Sequence, residues 1–329
     1  MRPGKVSPEL LTRLVYTHLG ARRTEVLVRS RVGEDCAVID FGEWVAVITC
    51  DPITGATNRL GWYAVHIACN DLATTGAEPV ALLLTLLLSE GTTESELEEI
   101  MRDADTAAAG LGVEIVGGHT EVTAGIDRSM ATVTALGKAP KSRVLSARGA
   151  RPGDALLLTK GAGIEGTAIL ATDLADRLQG RVDNATLARA RAFIDRISVV
   201  PEGRIAARSG ASAMHDVTEG GVLTGAWELA EAAGIGVVLW ADEVPVQPET
   251  QAICRVLEVD PLALISSGAM LITAPDAKRV TPPLHDAGIA VRQIGVTTAR
   301  ERVVVRGGSR APLVPPERDE LWRLLEVKS

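Results

Sequence analysis

The longest strongly apolar run in this chain is Val80–Leu88, which spans nine residues and is interrupted by Thr85. A helix needs roughly 20 apolar residues to cross a bilayer, so this run predicts a buried β-strand and not a membrane span. At the beginning of the chain, Arg2 and Lys5 precede a polar Ser-Pro-Glu stretch, where a signal peptide would have an apolar core. We therefore expect a cytoplasmic protein without a membrane partner.

Helical and strand-like patterns follow one another along the chain without strict alternation. The clearest helix begins near Thr93, which precedes glutamates that suit the positive end of a helix dipole. The other predicted helices are Ser7–Leu19, Gly61–Thr75, one starting near Ile164, Ala185–Ile197, Pro201–Ser209, Gly221–Ala233, Ala274–Ala287 and Pro316–Val327. The predicted strands are Glu25–Val28, Cys36–Ile39, Trp44–Thr49, Val80–Leu88, Val113–Val116, Met130–Gly137, Ala155–Thr159, Val237–Trp240, Ala269–Thr273, Ala290–Ile294 and Arg302–Val305.

A basic, turn-rich stretch over residues 138–153 interrupts these patterns and predicts a domain boundary. Both halves mix strands and helices, which is typical of α+β layers. The expected organisation is therefore an α+β fold with two domains, residues 1–150 and 151–329.

Composition narrows the class of partner. The 42 acidic side chains outnumber the 34 basic ones, and no basic run occurs, so we expect no nucleic-acid partner. With only 5 Trp, 2 Tyr and 2 Phe, the core must consist of Ala, Val, Leu and Ile. The 4 cysteines lack a metal-binding spacing and favour a reduced, packed state. Cys36 is expected to be a small buried filler, with a nucleophilic thiol as the alternative.

Four aspartates stand in turns, at a strand end or within an apolar stretch: Asp35, Asp51, Asp71 and Asp216. Asp51 follows a predicted strand, and Asp71 lies in an apolar helical stretch, where a charge is costly unless it is paired or binds a cation. Carboxylate oxygens from separate segments are what Mg²⁺ requires. The alternative for each aspartate is a turn or cap side chain, but the four together favour a magnesium site.

Two pairs of glycines are candidates for phosphate binding. Gly117-Gly118 begins the run Gly-Gly-His-Thr-Glu after a predicted strand, and Gly220-Gly221 follows Glu219 before a predicted helix. Close backbone approach and a helix N-terminus both favour phosphate oxygens, so we expect phosphate at these places. Glu219 is a candidate general base, with a helix-start carboxylate as the alternative.

The order of these motifs resembles that of a known superfamily. The motifs are GEDCAVI (33–39), ITCD (48–51), NDLATTGAEP (70–79), GGHTE (117–121), TKGAGIEGTAIL (159–170) and HDVTEGGV (215–222). Their order and spacing are similar to those of the aminoimidazole ribonucleotide synthetase superfamily, which includes thiamine monophosphate kinase, selenophosphate synthetase and a hydrogenase maturation factor that dehydrates a thiocarboxamide. The resemblance runs from residue 4 to about residue 296.

This resemblance implies an N-terminal mixed sheet that forms a β-barrel across a homodimer, and a C-terminal α+β sandwich. It also implies ATP bound between the domains and Mg²⁺ held by aspartates. The implied metal ligands are Asp35, Asp51, Asp71 and Asp216. The nucleotide-binding candidates are Lys5, Thr49, Asn70, Gly117, Gly118, Thr120 and Glu121, and the catalytic candidates are Asp216, Glu219 and His119.

Among the branches, the chain is most similar to the hydrogenase maturation factor, in Gly4-Lys5 and in the run Gly163–Ala168. It departs from that branch at His119, which replaces an aspartate, so we expect His119 or Glu121 to take its place. That branch also carries its thiocarboxamide on a C-terminal cysteine, whereas the last cysteine here is Cys254. We therefore expect an enzyme that uses ATP to phosphorylate or activate an oxygen of a small amide or phosphate-type substrate, without the carrier-cysteine step.

Three alternatives remain open from the sequence. A catalytically weak nucleotide-binding scaffold would explain the loss of the carrier cysteine and of one aspartate. A thiamine-phosphate-kinase-like enzyme is the second, although its Ser-Asp-Gly motif is here His-Asp-Val. A ribonucleotide-cyclase-like enzyme is the third, because that family has Gly-Gly-Glu-Thr where the other branches have an aspartate.

Overall fold

The structure of the protein, a computed structural model, describes residues 5–54 and 58–325. Gly4 and the end of the predicted helix Pro316–Val327 lie outside these residues. The first sheet is mixed, and its six strands have the order β1-β2-β3-β6-β4-β5. Only β4 and β5 run parallel. The strands are β1 (Val26–Val28), β2 (Ala37–Phe41), β3 (Trp44–Ile53), β4 (Glu78–Leu88), β5 (Glu114–Val122) and β6 (Met130–Pro140).

The helices of the first half are α1 (Pro8–Leu10), α2 (Leu60–Thr74) and α3 (Glu94–Leu111). α3 begins where it was predicted, because Thr93 and the glutamate three residues later form a capping box. The helix predicted over Ser7–Leu19 is wrong beyond its first turn, since α1 continues as a π-helical segment, Leu11–Val15. Leu14 and Val15 remain 49% and 47% exposed, so tertiary packing does not support a longer α-helix.

The two faces of the first sheet differ in their cover. α2 packs against β3 and β6 on the inner face, and α3 packs against α2. Val47, Leu82 and Val133 point to this inner face and are fully buried. On the opposite face Leu83 and Leu136 are 47% and 39% exposed. The first sheet therefore has one covered face and one open apolar face.

The structure corrects the prediction around the first glycine pair. The predicted strand Val113–Val116 stops before Gly117, but β5 continues to Val122 with both glycines inside it. Gly118 lies so close to β4, at a φ of 146°, that a Cβ on it would be 1.7 Å from the carbonyl oxygen of Leu84. This glycine is required by strand pairing, and the expected phosphate-binding loop is a strand.

The second sheet has seven strands in the order β13-β12-β9-β11-β7-β10-β8. They are β7 (Ala155–Thr159), β8 (Ala213–Val217), β9 (Gly236–Trp240), β10 (Ala269–Ala274), β11 (Val291–Thr298), β12 (Arg302–Arg306) and β13 (Ser309–Pro312). The helices of this half are α4 (Ile164–Asp173), α5 (Ala175–Leu178), α6 (Asn184–Arg191), α7 (Val200–Ser209), α8 (Gly221–Ala233), α9 (Pro248–Leu257), α10 (Ala277–Asp286) and α11 (Glu320–Leu325). The predicted two-domain α+β fold is confirmed, although β13 was not predicted.

Two predicted helices are shorter than expected. The pattern over Ala185–Ile197 is divided between α6 and a 3-10 segment, Ala192–Arg196. The pattern over Ala274–Ala287 yields α10 only after Asp276, whose side chain caps the helix, because β10 extends to Ala274.

The two halves meet along α2. α7 approaches α2 so closely that a Cβ on Gly203 would lie 2.2 Å from the carbonyl oxygen of Ala73. The fully buried amide of Asn70 donates from Nδ2 to the carbonyl of Ile197 and accepts at Oδ1 from the N–H of Val199, both at 2.8 Å. These contacts fix the C-terminal half of α2 next to β8.

Aliphatic side chains fill the interior, as the low aromatic content predicts. Among the described residues, the buried aromatic rings are those of Tyr63 and Phe193, which are 4% and 5% exposed. No helix in the described ranges combines the length and the apolar character that crossing a membrane requires.

We expect Gly118→Ala to lower the free energy of unfolding by about 2–4 kcal/mol, because the methyl group would collide with the β4 backbone and φ would be strained. Urea unfolding followed by circular dichroism measures this change. Gly117→Ala is the matched control, since a Cβ there would lie 3.4 Å from Leu83 Cδ2, an ordinary contact. Equal destabilisation by both substitutions would contradict the strand-pairing explanation.

Candidate functional site

Aspartates from both halves of the chain meet where α2 contacts β8. Asp35 precedes β2, Asp71 lies on α2 and Asp216 lies on β8. Asp35 and Asp216 offer carboxylate oxygens, and His215 offers a ring nitrogen, within 4.8 Å of one another. The charges of Asp35, Asp51 and Asp216 all act on Asp71. The structure therefore gathers the four aspartates that the sequence singles out.

Asp71 is held by the neighbouring strand. Its Oδ2 accepts a hydrogen bond of 2.6 Å from Thr49 Oγ1. Asp51 follows on β3, which runs to Ile53 and passes the predicted strand end at Thr49. Burial raises the pKa of Asp71 well above its ordinary value, and the charge of Asp51 raises it further. Two such carboxylates cost free energy unless a proton or a cation offsets their charge.

The environment of the Asp216 side chain indicates a bound cation. Its side chain is buried, and its Oδ2 has no hydrogen-bond partner within the described part of the chain. Burial, and next the charge of Asp35, raise the pKa of Asp216 to about 7. A buried polar atom without a partner costs about 1–3 kcal/mol. The clustered carboxylate oxygens are hard ligands that fit Mg²⁺, and this cation would also satisfy Oδ2.

His215 lies between two carboxylates. Its Nδ1 is 2.9 Å from Asp35 Oδ2, and its Nε2 is 3.1 Å from Glu228 Oε2. Although burial opposes the charge, these carboxylates raise the pKa of His215 well above its ordinary value. Because both ring nitrogens face carboxylates, His215 holds Asp35 in its orientation. The sequence analysis did not identify Glu228 as a site residue. The one feature that could have indicated it is a carboxylate within the mostly apolar sequence of α8.

Lys5 brings the N-terminal segment to the same cluster. Its Nζ donates to Thr218 Oγ1 over 3.4 Å, and its main-chain N–H donates to Glu219 Oε1 over 3.5 Å. Although desolvation opposes the charge, the surrounding carboxylates, with Glu228 first, raise the pKa of Lys5 above its ordinary value. Lys5 thus supplies positive charge beside the aspartates, which suits its predicted place near a nucleotide.

The turn before α8 is fixed by the C-terminal helix. The N–H of Gly220 donates to Asp319 Oδ2 over 2.6 Å, and Trp322 Nε1 donates to Glu219 Oε1 over 3.1 Å. The N-terminus of α8 therefore already faces an internal carboxylate, which corrects the prediction of a phosphate at Gly220-Gly221. Asp319 and Trp322 were missed because no local motif links the last helix to this distant turn.

The residues of β5 lie elsewhere. Asp51 and Gly118 stand at the same height in the first sheet, but β6 and β4 lie between their strands. Three strand spacings place them about 14 Å apart. His119 Nε2 and Glu121 Oε2 are 3.1 Å apart on exposed side chains. Within one chain, the structure does not bring the predicted residues Gly117–Glu121 to the aspartates.

Two further candidates, Asn70 and Cys36, are buried in the interior. Asn70 is fully buried, and both ends of its amide group bond the backbone of the second half, so its support of the phosphate site stays a prediction. Burial, followed by the charge of Asp71, raises the pKa of the Cys36 thiol well above its ordinary value. This thiol stays protonated, in keeping with a packed filler. Cys254 is also buried, on α9.

A further buried carboxyl lies beside the fixed turn. Glu165 on α4 is 7% exposed, and its Oε2 has no hydrogen-bond partner among the residues that the structure describes. Burial raises the pKa of Glu165 to about 7, and the charges of Asp319 and Glu219 act in the same direction. Burial also raises the pKa of Asp319 to about 6.

Comparison with known families covers both halves of the chain. The family "AIR synthase related protein, N-terminal domain" matches residues 33–139, and the family "AIR synthase related protein, C-terminal domain" matches residues 151–308. The chain belongs to the AIR synthase related protein family.

Curated relatives include hydrogenase maturation proteins. A hydrogenase expression/formation protein of Methanocaldococcus jannaschii is 29% identical over 311 residues, which cover 92% of this chain and 90% of that protein. Carbamoyl dehydratase HypE of Cupriavidus necator is 31% identical over 242 residues, which cover 72% of this chain and 67% of that protein. The resemblance to the hydrogenase maturation branch is therefore confirmed.

Solved structures share the fold. A chain of the HypE–HypF complex matches with a TM-score of 0.76 at 20% identity, covering 93% of this chain and 99% of that chain. AaThiL complexed with AMPPCP and TMP matches with a TM-score of 0.76 at 19% identity, covering 97% and 99%. The hydrogenase maturation protein HypE in complex with ATP matches with a TM-score of 0.69 at 21% identity, covering 97% of both chains.

The substitution Glu165→Gln tests how much the ionisation of the buried carboxyl group lowers the free energy of unfolding. Folding raises the pKa of Glu165 from 4.5 to about 7, so its stabilising contribution is complete below pH 4.5 and is lost as the pH rises through 7. Between about pH 4.5 and 8, the free energy of unfolding of the wild type should fall by up to about 3 kcal/mol relative to the variant. Urea titrations across this range measure the difference. The exposed Glu90→Gln should show no such trend, and a pH-independent difference for Glu165→Gln would refute the assignment.

Proposed function

We propose that this protein is an ATP- and Mg²⁺-dependent enzyme that phosphorylates or activates an oxygen of a small amide-type substrate, in a hydrogenase-maturation-like reaction. The observation that carries the proposal is the buried Oδ2 of Asp216, which has no hydrogen-bond partner among the described residues and lies in a group of four interacting aspartates. Such a group fits a metal–phosphate ligand, because cations offset its mutual repulsion. The carbamoyl dehydratase relative and the ATP complex of a HypE structure support the same reaction class.

Each side chain of the cluster has a role in this proposal. Mg²⁺ held by these aspartates would supply positive charge to the phosphate groups of ATP. His215 would keep Asp35 oriented, and Lys5 would direct its ammonium to a phosphate oxygen. Glu219, whose carboxylate Trp322 holds, is our candidate general base. The proposed metal ligands are Asp35, Asp51, Asp71 and Asp216.

The transfer would go directly to the substrate. Burial raises the pKa of the Cys36 thiol, which disfavours it as a nucleophile, and Cys254 is buried on α9. Cys50 on β3 is exposed, which departs from the packed state expected of all four cysteines. In the proposed division, residues 1–150 bind ATP and Mg²⁺ and mediate dimerisation, and residues 151–329 form the substrate domain. The enzyme would act in the cytoplasm.

Asp71→Asn should weaken Mg²⁺-dependent ATP binding by about 100-fold, because it keeps the shape of the side chain and removes a charged ligand. Titration calorimetry with ATP, in the presence and absence of Mg²⁺, measures the effect. Asp105→Asn, on the exposed side of α3, is the matched control and should bind as the wild type does. ATP binding that needs no Mg²⁺ and ignores the Asp71 substitution would remove the metal assignment.

Turnover is measured separately, as ADP release in a screen of amide and phosphate acceptors. Release that depends on an amide acceptor supports the proposal. Release with thiamine monophosphate alone would instead indicate a kinase-like enzyme. Tight Mg²⁺–ATP binding without ADP release from any acceptor would indicate a nucleotide-binding scaffold.

We also propose that the protein forms a homodimer through the open face of the first sheet. Leu83 and Leu136 belong to this face and remain exposed in the single chain. A contiguous apolar face of this kind usually marks an interaction surface. Two copies packed through it would complete the β-barrel that the family resemblance implies.

Leu83→Asp combined with Leu136→Asp should convert the dimer into monomers, because charges would be buried in an apolar interface. Size-exclusion chromatography with light scattering measures the mass directly. Val314→Asp is the control, since Val314 is exposed but lies outside the first sheet. A wild-type monomer, or a dimer that survives both aspartates, would exclude this interface.

A further inference from the structure

A cleft of about 1320 Å³ lies beside the candidate functional site. It is formed by the chain between residues 12 and 37, by the connection over residues 144–149, and by Ser212 and Glu231. The four aspartates are not among its described lining residues. Glu34, which precedes Asp35 in the chain, and Tyr16, whose pKa is raised by burial and then by the charge of Glu228, both line it. The cleft therefore adjoins the aspartates but does not contain them.

Basic side chains dominate this cleft. Its charged lining residues are Arg22, Arg23, Arg29, Arg31, Arg148, Glu34 and Glu231. Both glutamates are already engaged, since Glu34 accepts from Ser146 Oγ at 2.7 Å and Glu231 pairs with Arg302 at 2.5 Å. The cleft is thus positively charged in a chain whose net charge is −8.

Part of this positive charge is available to a ligand. Within the described residues, the guanidinium groups of Arg22 and Arg148 form no hydrogen bond or ion pair, and both side chains are exposed. Arg23, by contrast, is paired with Glu25. A guanidinium presents donors in a planar fork that matches a carboxylate, so such groups favour carboxylate-bearing partners.

The cleft also offers apolar contact. Leu19 and Leu27 line it and are 52% and 40% exposed. Arginine and tyrosine, which also line the cleft, are enriched at the energetically important centres of protein interfaces. The volume exceeds the roughly 300–1,000 Å³ of ordinary small-molecule sites. Size and composition therefore both fit a polypeptide better than a compact metabolite.

We propose that this cleft docks an acidic, partly apolar polypeptide segment of a protein partner. Its carboxylates would pair with Arg22 and Arg148, and its apolar side chains would cover Leu19 and Leu27. The surface goes beyond the proposed reaction, and its test does not require ATP. A small polyphosphate held by the same arginines is the competing occupant.

Two labelled polymers serve as probes in fluorescence polarisation: poly-L-glutamate and a random copolymer of glutamate and tyrosine. We expect both to bind the wild type, with the copolymer about fivefold tighter because it also covers the leucines. Arg22→Glu combined with Arg148→Glu should weaken copolymer binding at least about tenfold through like-charge repulsion. Arg204→Glu combined with Arg255→Glu changes the net charge equally at exposed positions outside the cleft and should leave binding within about twofold.

The results of these experiments distinguish a polypeptide from a small polyphosphate as the occupant of the cleft. Equal loss in both double variants would mean non-specific attraction and would overturn the proposal. Tripolyphosphate that competes as tightly as the copolymer, with no preference for tyrosine, would assign the cleft to a small anion and would overturn it too. Calorimetry of the cleft variant with Mg²⁺–ATP should give the wild-type affinity. Lower affinity would place the cleft inside the nucleotide site, whereas failure of ATP to bind the wild type would contradict only the proposed reaction.

Discussion

Like charges brought together at the junction of two sheets are the constraint on which the rest of this structure depends. Asp71 comes from a helix of the first half and Asp216 from a strand of the second, and both are buried. Their proximity costs free energy that the fold must offset by positive charge. Lys5 and His215, whose pKa values neighbouring carboxylates raise, supply part of it, so the N-terminal segment and β8 each bring a basic side chain to the aspartates.

The features that can be predicted from the sequence are those that leave a recognisable pattern in neighbouring residues. The apolar run Val80–Leu88 predicts a strand, although only one of its faces is buried in the single chain, and Thr93 marks a helix start by its own capping chemistry. The aspartates are recognisable because a charge such as that of Asp71 in an apolar helix costs free energy unless it is paired or binds a cation. The order of the motifs along the chain then predicts the superfamily. The superfamily in turn implies the two-domain architecture, whereas periodicity alone indicates only a mixture of strands and helices.

What the sequence could not predict depends on contacts between distant segments. Glu228 and Trp322 have no neighbouring motif, and their roles exist only because α8 and α11 fold onto the same turn. The paired glycines misled for a physical reason: the freedom that lets a backbone approach a phosphate also lets Gly118 approach β4. At Gly220 the favourable helix N-terminus is real, but Asp319 of the same chain occupies it.

The tight contact between α7 and α2 joins the two halves close to the buried aspartates. Gly203 lies against the backbone of Ala73, and the amide of Asn70 bonds the backbone of the second half, so both halves are held at α2. The segment that carries Lys5 and the helix that carries Trp322 both contact the carboxylate of Glu219. Glu219 therefore connects two segments that are far apart in the sequence, and its substitution would loosen both of them at once.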